Sequence, residues 1–525
     1  MALNRDFYKA VEDVIGPEFI SDDPVVTESY AFPIRAATAP PKDVYQPRYE
    51  AVTLPASTKE VQAIVKLCNK YGVQFKAAST GWLYSDPTYP GCIRIDLRRM
   101  NKILEINEKN MYAVVEPYVI YAELQAEVMK RGLLCNITGA GANCSALPLA
   151  AHANLGQLSI SCSWGERNQL GFEWVTPDGE IVRSGALESL DEWFCGDGPG
   201  PSLRGIIRGD QTPLGGLGVY TQAAQKLYHW PGPTAFATEG VSPYYSSQMP
   251  PNFMIGYYHC PSVQLQEDAM MKIGEAEIGF IVMGYNISMV LANMATSNIE
   301  ERELASKWAP QVQGPGFIVA IAGNSAGDFE YKKMTLEKIV EKCQGKPLAL
   351  FDDPKIAASF MYRYTRPTSS IRECFRYNGG PEGGGFAAGA ISNSSDSYPL
   401  MNRFVQTLAP IKADYIKKGY LVEQSPHPPV MQIMENRHGE HYELLVQGID
   451  TSSTEAINEI GKFNDVIQKT LVEGHFGTGY AAGNAEHDYF GPHTSNYHIW
   501  MRKVKKTFDP NAASDENFYI SAGDQ

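Results

Sequence analysis

One short run of small and hydroxyl-bearing residues, Ala77 to Trp82 (AASTGW), has the composition of an anion-binding turn. Small side chains allow consecutive backbone N–H groups to point at one anion, and the Ser and Thr hydroxyls add donors. Two later runs are similarly rich in small residues, Ile137 to Ala146 (ITGAGANCSA) and Gly215 to Gly218 (GGLG). Glycines there let the backbone approach a ligand closely. The first run therefore predicts a turn that can bind an anion such as a phosphate, and the other two runs predict close contact between backbone and a ligand.

The elements that must position these runs alternate between helix and strand. After an N-terminal helix and a short strand, a helix begins at Ser57, a capping residue, and Gly72 ends it. Residues 73–78 are predicted as a strand that leads directly into the first run. Strands over 93–97, 103–107 and 112–116 and a helix over 121–131 follow. The first part of the chain is therefore predicted as a series of α and β units.

This order of elements and runs resembles the FAD-binding domain of the vanillyl-alcohol oxidase / para-cresol methylhydroxylase superfamily. Two further segments carry the resemblance: Trp164 to Gly179, which closes with a Pro-Asp-Gly turn, and Gly198 to Tyr228. The superfamily usually has a glycine run in the first turn, whereas this chain keeps only Gly81 there. Within the superfamily, the chain most resembles the glycolate oxidase / D-lactate dehydrogenase branch.

The resemblance implies an α+β fold with two lobes, an FAD-binding lobe and a substrate cap built on an antiparallel sheet. We expect an N-terminal segment over 1–47, the FAD-binding domain over 48–232, the cap over 233–490 and a C-terminal segment over 491–525 that returns to the FAD-binding domain. The expected cofactor is FAD. The residues expected to contact it are Ala78, Ser79, Thr80, Gly81, Trp82, Thr138, Gly139, Ala140, Gly141, Asn143, Ser145, Ala146, His152, Asn154, Gly156, Gly218 and Val219.

In the glycolate oxidase / D-lactate dehydrogenase branch, a late Glu-His step provides a metal ligand and a base, and it matches Glu486 and His487 here. Histidine suits the removal of a hydroxyl proton because its pKa is near neutral. The branch also has two upstream metal-binding histidines, which His441 and His438 could replace in a three-ligand site with Glu486. This implies a 2-hydroxy-acid dehydrogenase, acting on a substrate such as D-lactate or glycolate, with a possible divalent metal ion.

The aromatic-alcohol branch gives a second hypothesis, an aromatic-alcohol or 4-alkylphenol oxidoreductase. Its members hold a phenolate with Tyr and Arg, and Tyr480 and Tyr362 are the candidates here. If the segment around Tyr362 is a strand, Arg363 lies on one face of it and could bind a carboxylate as a bidentate partner. A third hypothesis is an FAD-binding subunit that has no catalysis of its own and acts in a complex.

Composition restricts the partners of the chain. The net charge of -14 disfavours nucleic acid and anionic membranes, both of which are polyanions. The N-terminal residues show no secretory signal, no stretch is long and apolar enough to span a membrane, and the nine scattered cysteines suit a reducing cytoplasm. Because no Cys-x-x-Cys spacing suggests a second redox centre, we expect electrons to pass to an external acceptor, which could be an electron-transfer protein, a cytochrome or a quinone. A homo-oligomer is also expected.

Overall fold

The structure is a computed structural model, and it describes most of the chain. The described residues are 3–30, 48–81, 90–138, 141–151, 156–184, 202–209, 212–241, 244–365, 385–392, 397–420, 430–447, 454–477, 483–515 and 519–523. The described helices are α1 (Arg5–Ile15), α2 (Pro24–Ser29), α3 (Thr58–Tyr71), α4 (Tyr121–Met129), α5 (Ala146–Leu149), α6 (Arg204–Ile207), α7 (Val263–Glu275), α8 (Ile287–Met294), α9 (Asn298–Trp308), α10 (Ala326–Lys342), α11 (Pro354–Thr365), α12 (Ser397–Lys417), α13 (Thr454–Glu473), α14 (Asn484–Phe490) and α15 (Tyr497–Phe508).

The first run of small residues follows a strand of a four-stranded sheet. This sheet has the order β1-β2-β4-β3, where β2, β3 and β4 are parallel and β1 is antiparallel to β2. Helix α3 connects β2 to β3: the Ser57 hydroxyl caps its N-terminus, and Gly72 ends it in a left-handed conformation, as predicted. The strands are β1 (Ile20–Ser21), β2 (Ala51–Thr53), β3 (Phe75–Ala78) and β4 (Ile93–Asp96).

A five-stranded antiparallel sheet stands beside the first and carries the third run at the start of one strand. Its order is β5-β6-β10-β8-β9, and the predicted Pro-Asp-Gly turn joins β8 to β9. Strands β7 and β11 form a separate antiparallel pair, and β11 follows β10 of this sheet in the chain. The strands are β5 (Ile103–Asn107), β6 (Tyr112–Val115), β7 (Leu133–Leu134), β8 (Gln169–Val175), β9 (Ile181–Arg183), β10 (Val219–Lys226) and β11 (Tyr228–His229).

The second lobe is built on a seven-stranded antiparallel sheet with the order β17-β14-β16-β15-β19-β20-β18. One face packs on α7 and α10; the other packs on α8 and α11 and on apolar residues of the first lobe. The strands of this lobe, including the separate hairpin β12–β13, are β12 (Thr238–Val241), β13 (Tyr244–Ser247), β14 (Phe253–His259), β15 (Ile281–Tyr285), β16 (Gly316–Ala322), β17 (Lys346–Pro347), β18 (Gly385–Ser392), β19 (Val430–Met434) and β20 (Gly439–Gln447).

The architecture confirms the expected α+β class with antiparallel sheets. One local expectation is wrong: the segment around Tyr362 belongs to helix α11 and not to a strand. Its apolar positions Ala357, Phe360, Met361 and Tyr364 recur at helical spacing and are buried against the seven-stranded sheet. Among the described residues, no helix has the length and apolar character needed to cross a membrane.

Candidate functional site

A cavity in the first lobe lies where the three runs of small residues meet. The turn after β3 contributes Ala78, Ser79, Thr80 and Gly81 to its lining. Gly81 has a φ of +71°, a left-handed conformation that glycine adopts without strain. The hydroxyl of Thr80 accepts a hydrogen bond from the Ser145 backbone N–H at 3.3 Å, so the first and second runs are joined directly beside the cavity.

The third run also lines the cavity. Gly215 and Gly218 both line it, with φ values of +84° and +77°. A Cβ on Gly218 would come within 2.3 Å of the Val175 carbonyl oxygen, so only glycine fits where this turn passes strand β8.

Two polar side-chain atoms in the lining are buried and have no hydrogen-bond partner among the described residues, the Oε1 atom of Gln169 and the hydroxyl of Tyr220. A buried polar group left unpaired costs about 1–3 kcal/mol, so these atoms indicate a polar ligand. Burial raises the pKa of Tyr220, so its phenol stays protonated and can donate. None of the lining residues in the described part of the chain carries a carboxylate that would repel a phosphate. The donors and the glycine turns thus fit the ADP portion of FAD.

The cavity brings together part of the expected FAD contacts. Ala78, Ser79, Thr80, Gly81, Ser145, Gly218 and Val219 line it, whereas Thr138, Gly141, Asn143, Ala146 and Gly156 do not. Trp82, Gly139, Ala140, His152 and Asn154 lie outside the described residues. Sequence reasoning missed Gln169 and Tyr220, because only the pairing of β8 with β10 shows that both strands border the cavity.

The loop between residues 138 and 156 contacts the cap sheet at its base. A bridge pairs Thr138 with Gly156, and the Gly156 carbonyl accepts a 2.7 Å hydrogen bond from the Gln432 side chain of β19. Gln432 is paired across the sheet with Met283 on one side and His441 on the other. Directly paired residues point to the same face of a sheet, so Met283, Gln432 and His441 form a row, named here the cap row, on the face toward this loop.

His441 is the titratable member of the cap row. Its side chain is buried, and its ring lies 6.0 Å from the indole of Trp164, measured between centroids. Trp164 belongs to the first lobe and also packs against Met434 of β19. An imidazole in this position sits between the two lobes, against the segment that the sequence associates with the cofactor.

His487, the predicted base, lies in α14 and is not among the residues that line the cavity. Its Nδ1 atom is 2.8 Å from the Tyr497 hydroxyl, and its ring also bonds the Tyr519 backbone. Burial, and then the positive charge of Arg502, lower the pKa of His487 to about 4. Such an imidazole is neutral at pH 7 and weakly basic, so these contacts suit a packing role better than proton transfer.

The expected metal ligands do not form a recognisable centre. His438 and Glu486 are exposed, whereas His441 is buried. Within the described ranges, which include all three residues, no group of three His, Cys, Asp or Glu side chains could hold a metal ion. The metal prediction therefore gains no support.

The expected substrate anchors of the cap have other contacts. Arg363 is buried and donates to the Tyr245 hydroxyl at 3.3 Å and to the Asn293 carbonyl. Tyr362 packs edge-on against Phe236 and Tyr245. Both residues thus help to hold α11 on its neighbours. Tyr480, the other candidate, lies outside the described residues.

Comparison with known proteins defines the class of the first lobe. Residues 49–185 match the family model described as FAD binding domain. The matched residues resemble an FAD-binding domain, which confirms FAD as the expected cofactor. This confirms the resemblance to the vanillyl-alcohol oxidase / para-cresol methylhydroxylase superfamily that the sequence motifs indicated.

Curated relatives match over part of their length. A 1'-carboxy-chondrochloren decarboxylase of Chondromyces crocatus is 30% identical over 39% of this chain and 38% of its own. The 4-cresol dehydrogenase [hydroxylating] flavoprotein subunit of Pseudomonas putida is 26% identical over 38% of this chain and 40% of its own. Glycolate oxidase subunit GlcD of Bacillus subtilis is 27% identical over 43% and 45%. The matched region spans about two fifths of these relatives.

Solved structures extend the likeness of fold to both lobes. Substrate-bound p-cresol methylhydroxylase superposes with a TM-score of 0.75 at 14% identity, covering 100% of this chain and 99% of its own. A 4-ethylphenol oxidase from Gulosibacter chungangensis gives a TM-score of 0.74 at 16% identity over 99% of both chains. The two-lobed fold of this chain is therefore that of p-cresol methylhydroxylase.

Proposed function

We propose that the chain is an FAD-dependent oxidoreductase that oxidises a small hydroxyl-bearing organic molecule at the cap row. The observation that carries this proposal is the hydrogen bond from Gln432 to the Gly156 carbonyl, because it ties the cap row to a residue expected to contact FAD. The buried His441 stands beside Gln432 on the same face. A substrate bound beside the Gln432–Gly156 contact would lie close to both side chains.

Bound FAD supplies an acceptor for the hydride that leaves the substrate carbon. In the proposed reaction, His441 accepts the hydroxyl proton of the substrate as the hydride leaves, which is the general-base role that an imidazole commonly serves. The amide of Gln432, held by Gly156, orients the substrate, and the indole of Trp164 keeps water from the imidazole. With FAD bound, an external acceptor would be needed to take up the electrons, as the sequence led us to expect.

For the substrate class, the side chains of the cap row favour an aromatic alcohol or 4-alkylphenol. A 2-hydroxy acid carries a carboxylate, which would need a local cation in a chain of net charge -14. Met283 and Gln432 of the cap row and the neighbouring Trp164 carry no charge, and Arg363, the expected carboxylate partner, is bonded to Tyr245 and Asn293. The solved structures with the same fold include two named for phenolic substrates. The sequence motifs favoured a 2-hydroxy acid, so the cap row reverses the order of the two substrate classes.

A 2-hydroxy acid is the second candidate because curated relatives include a glycolate oxidase subunit and D-lactate dehydrogenases. Anaerobic mixing of the FAD-loaded protein with 4-ethylphenol, p-cresol, D-lactate and glycolate separates the two classes. Loss of the oxidised flavin absorbance with phenols alone supports the first class, and loss with hydroxy acids alone selects the second. No reduction by either class would contradict both and favour a non-catalytic FAD-binding subunit.

The assignment of the base is tested in the same assay. His441→Gln should slow flavin reduction by a factor on the order of 10²–10⁴ while leaving the FAD content unchanged. His438→Gln is the matched control, because His438 lies three residues away in the same hairpin and is exposed. If His487→Gln abolishes reduction and His441→Gln does not, the base is His487 and the present assignment is wrong.

A further inference from the structure

The C-terminal residues Lys505–Asp515, named here the C-terminal clamp, reach back to the FAD-binding lobe. Lys505 is fully buried, although it carries a charge and lies in the last turn of α15. Its ammonium donates to the Gly216 carbonyl at 2.7 Å, to the Ser514 carbonyl at 3.2 Å and to the Asp509 carboxylate. A buried charge is tolerated only when it is paired and hydrogen-bonded in this way. Lys505 therefore holds the third run of small residues through its hydrogen bond to the Gly216 carbonyl.

A second set of contacts joins the clamp to the same run and to the strand before the first run. The Ser514 hydroxyl accepts a 2.8 Å hydrogen bond from the Gly218 N–H. The Phe75 N–H donates to the Ala513 carbonyl and the Asp515 N–H donates to the Phe75 carbonyl, both at 2.9 Å. Residues around Ser514 thus pair in parallel with the free edge of β3.

These contacts hold two backbone segments that line the cavity. Strand β3 ends at Ala78, the first residue of the Ala78–Gly81 turn, and Gly218 is a lining residue of the third run. The C-terminal residues also pack closely on the run, because a Cβ on Gly216 would come within 2.5 Å of the Tyr519 Cβ. The clamp therefore fixes two cavity walls relative to each other, although its own side chains are not among the lining residues.

We propose that Lys505 and Ser514 are positioning residues for the cofactor: the C-terminal clamp holds the two glycine turns at the spacing that binds the ADP portion of FAD. Helix α15 and the segment after it thus act in cofactor retention. The proposal rests on the FAD cavity and not on the substrate or the base, so it can fail while the proposed reaction stands, and the reverse also holds.

The test is the affinity of apo-protein for FAD and for ADP, measured by titration at a temperature where circular dichroism shows the protein folded. Lys505→Met and Ser514→Ala should each weaken both ligands by about tenfold or more, because each removes a buried hydrogen bond to the third run. Lys506→Met is the matched control, since Lys506 is the next residue of α15 and is exposed. It should bind as the unmodified protein does.

A purely structural role predicts a different result, which is a lower melting temperature of the apo-protein with unchanged FAD and ADP dissociation constants in the folded variants. That result would overturn the proposal. Ser514→Ala removes a single oxygen atom and decides the matter if Lys505→Met does not fold. A loss of FAD affinity without a loss of ADP affinity would also contradict it, since the clamped turns border the part of the cavity assigned to ADP.

Discussion

The imidazole of His487 is only 4% exposed, and this burial makes it sensitive to acid. Its pKa is about 4 in the folded protein, below the 6.5 of an ordinary histidine, so the unfolded chain binds a proton more readily than the folded one. The folded state therefore has its full stability from this residue above about pH 6.5, and loses it progressively as the pH falls toward 4. The loss can reach about 3 kcal/mol.

We expect His487→Gln to flatten this dependence, because a glutamine can keep a hydrogen bond to the Tyr497 hydroxyl and does not titrate. Urea unfolding of both proteins between pH 7 and pH 4 measures the effect as the difference in unfolding free energy at each pH. His493→Gln is the control: His493 is exposed in the turn after α14 and should leave the pH dependence as it is. If the unfolding free energies of the His487 variant and of the unmodified protein change with pH in parallel, a group other than His487 causes the pH dependence.

At the scale of elements, the turn between β19 and β20 docks the cap onto the first lobe. The backbone N–H groups of Glu435 and Asn436 donate to the carbonyls of Ser159 and Ile160. The Glu435 carboxylate accepts a hydrogen bond from the backbone N–H of Trp164 at 2.9 Å and another from the Arg167 guanidinium. This turn therefore sets the distance between the cap row and the segment that carries Trp164.

Glu435→Ala should reduce the free energy of unfolding by about 1–3 kcal/mol, because it leaves the Trp164 N–H and the Arg167 guanidinium without their acceptor. Hydrogen exchange of the amides between Ser159 and Asn168 should become faster. Glu275→Ala is the control, since Glu275 pairs with Arg437 on the surface at 3.4 Å and such pairs contribute little. Equal effects of the two substitutions would mean that the turn does not dock the lobes through Glu435.

The elements differ in how far the sequence could predict them. Helix α3 was predictable because Ser57 and Gly72 mark its ends by local chemistry. The turn at Gly81 was predictable for the same reason, since a local conformation needs glycine. The cap row was not, because it depends on the register of β15, β19 and β20, which are far apart in the sequence. His441 was therefore selected as a metal ligand by its motif, while its position beside Gln432 became visible only in the folded chain.

At the scale of the whole molecule, the two lobes share one hydrophobic core. Met129, Leu134, Leu158 and Cys162 of the first lobe are buried in the same cluster as residues of β14, β15 and β16 from the cap. Trp230 lies at the junction and packs against Phe253 and Phe280 of the cap sheet. The C-terminal clamp adds a second connection, because α15 follows the cap in the chain and contacts the FAD-binding lobe. Neither lobe can lose its packing without exposing apolar surface of the other.

We therefore expect the FAD-loaded protein to unfold in one cooperative transition, with flavin release and loss of the far-ultraviolet dichroism at the same denaturant concentration. Trp230→Ala should move both signals together to lower denaturant, because truncating a buried tryptophan costs about 3–5 kcal/mol. Trp500→Ala is the matched control, since Trp500 on α15 is 65% exposed and should leave the midpoint unchanged. Flavin release at a clearly lower denaturant concentration than the dichroism change would show that the FAD-binding lobe opens on its own. In that case the shared core would not couple cofactor binding to the folding of the cap.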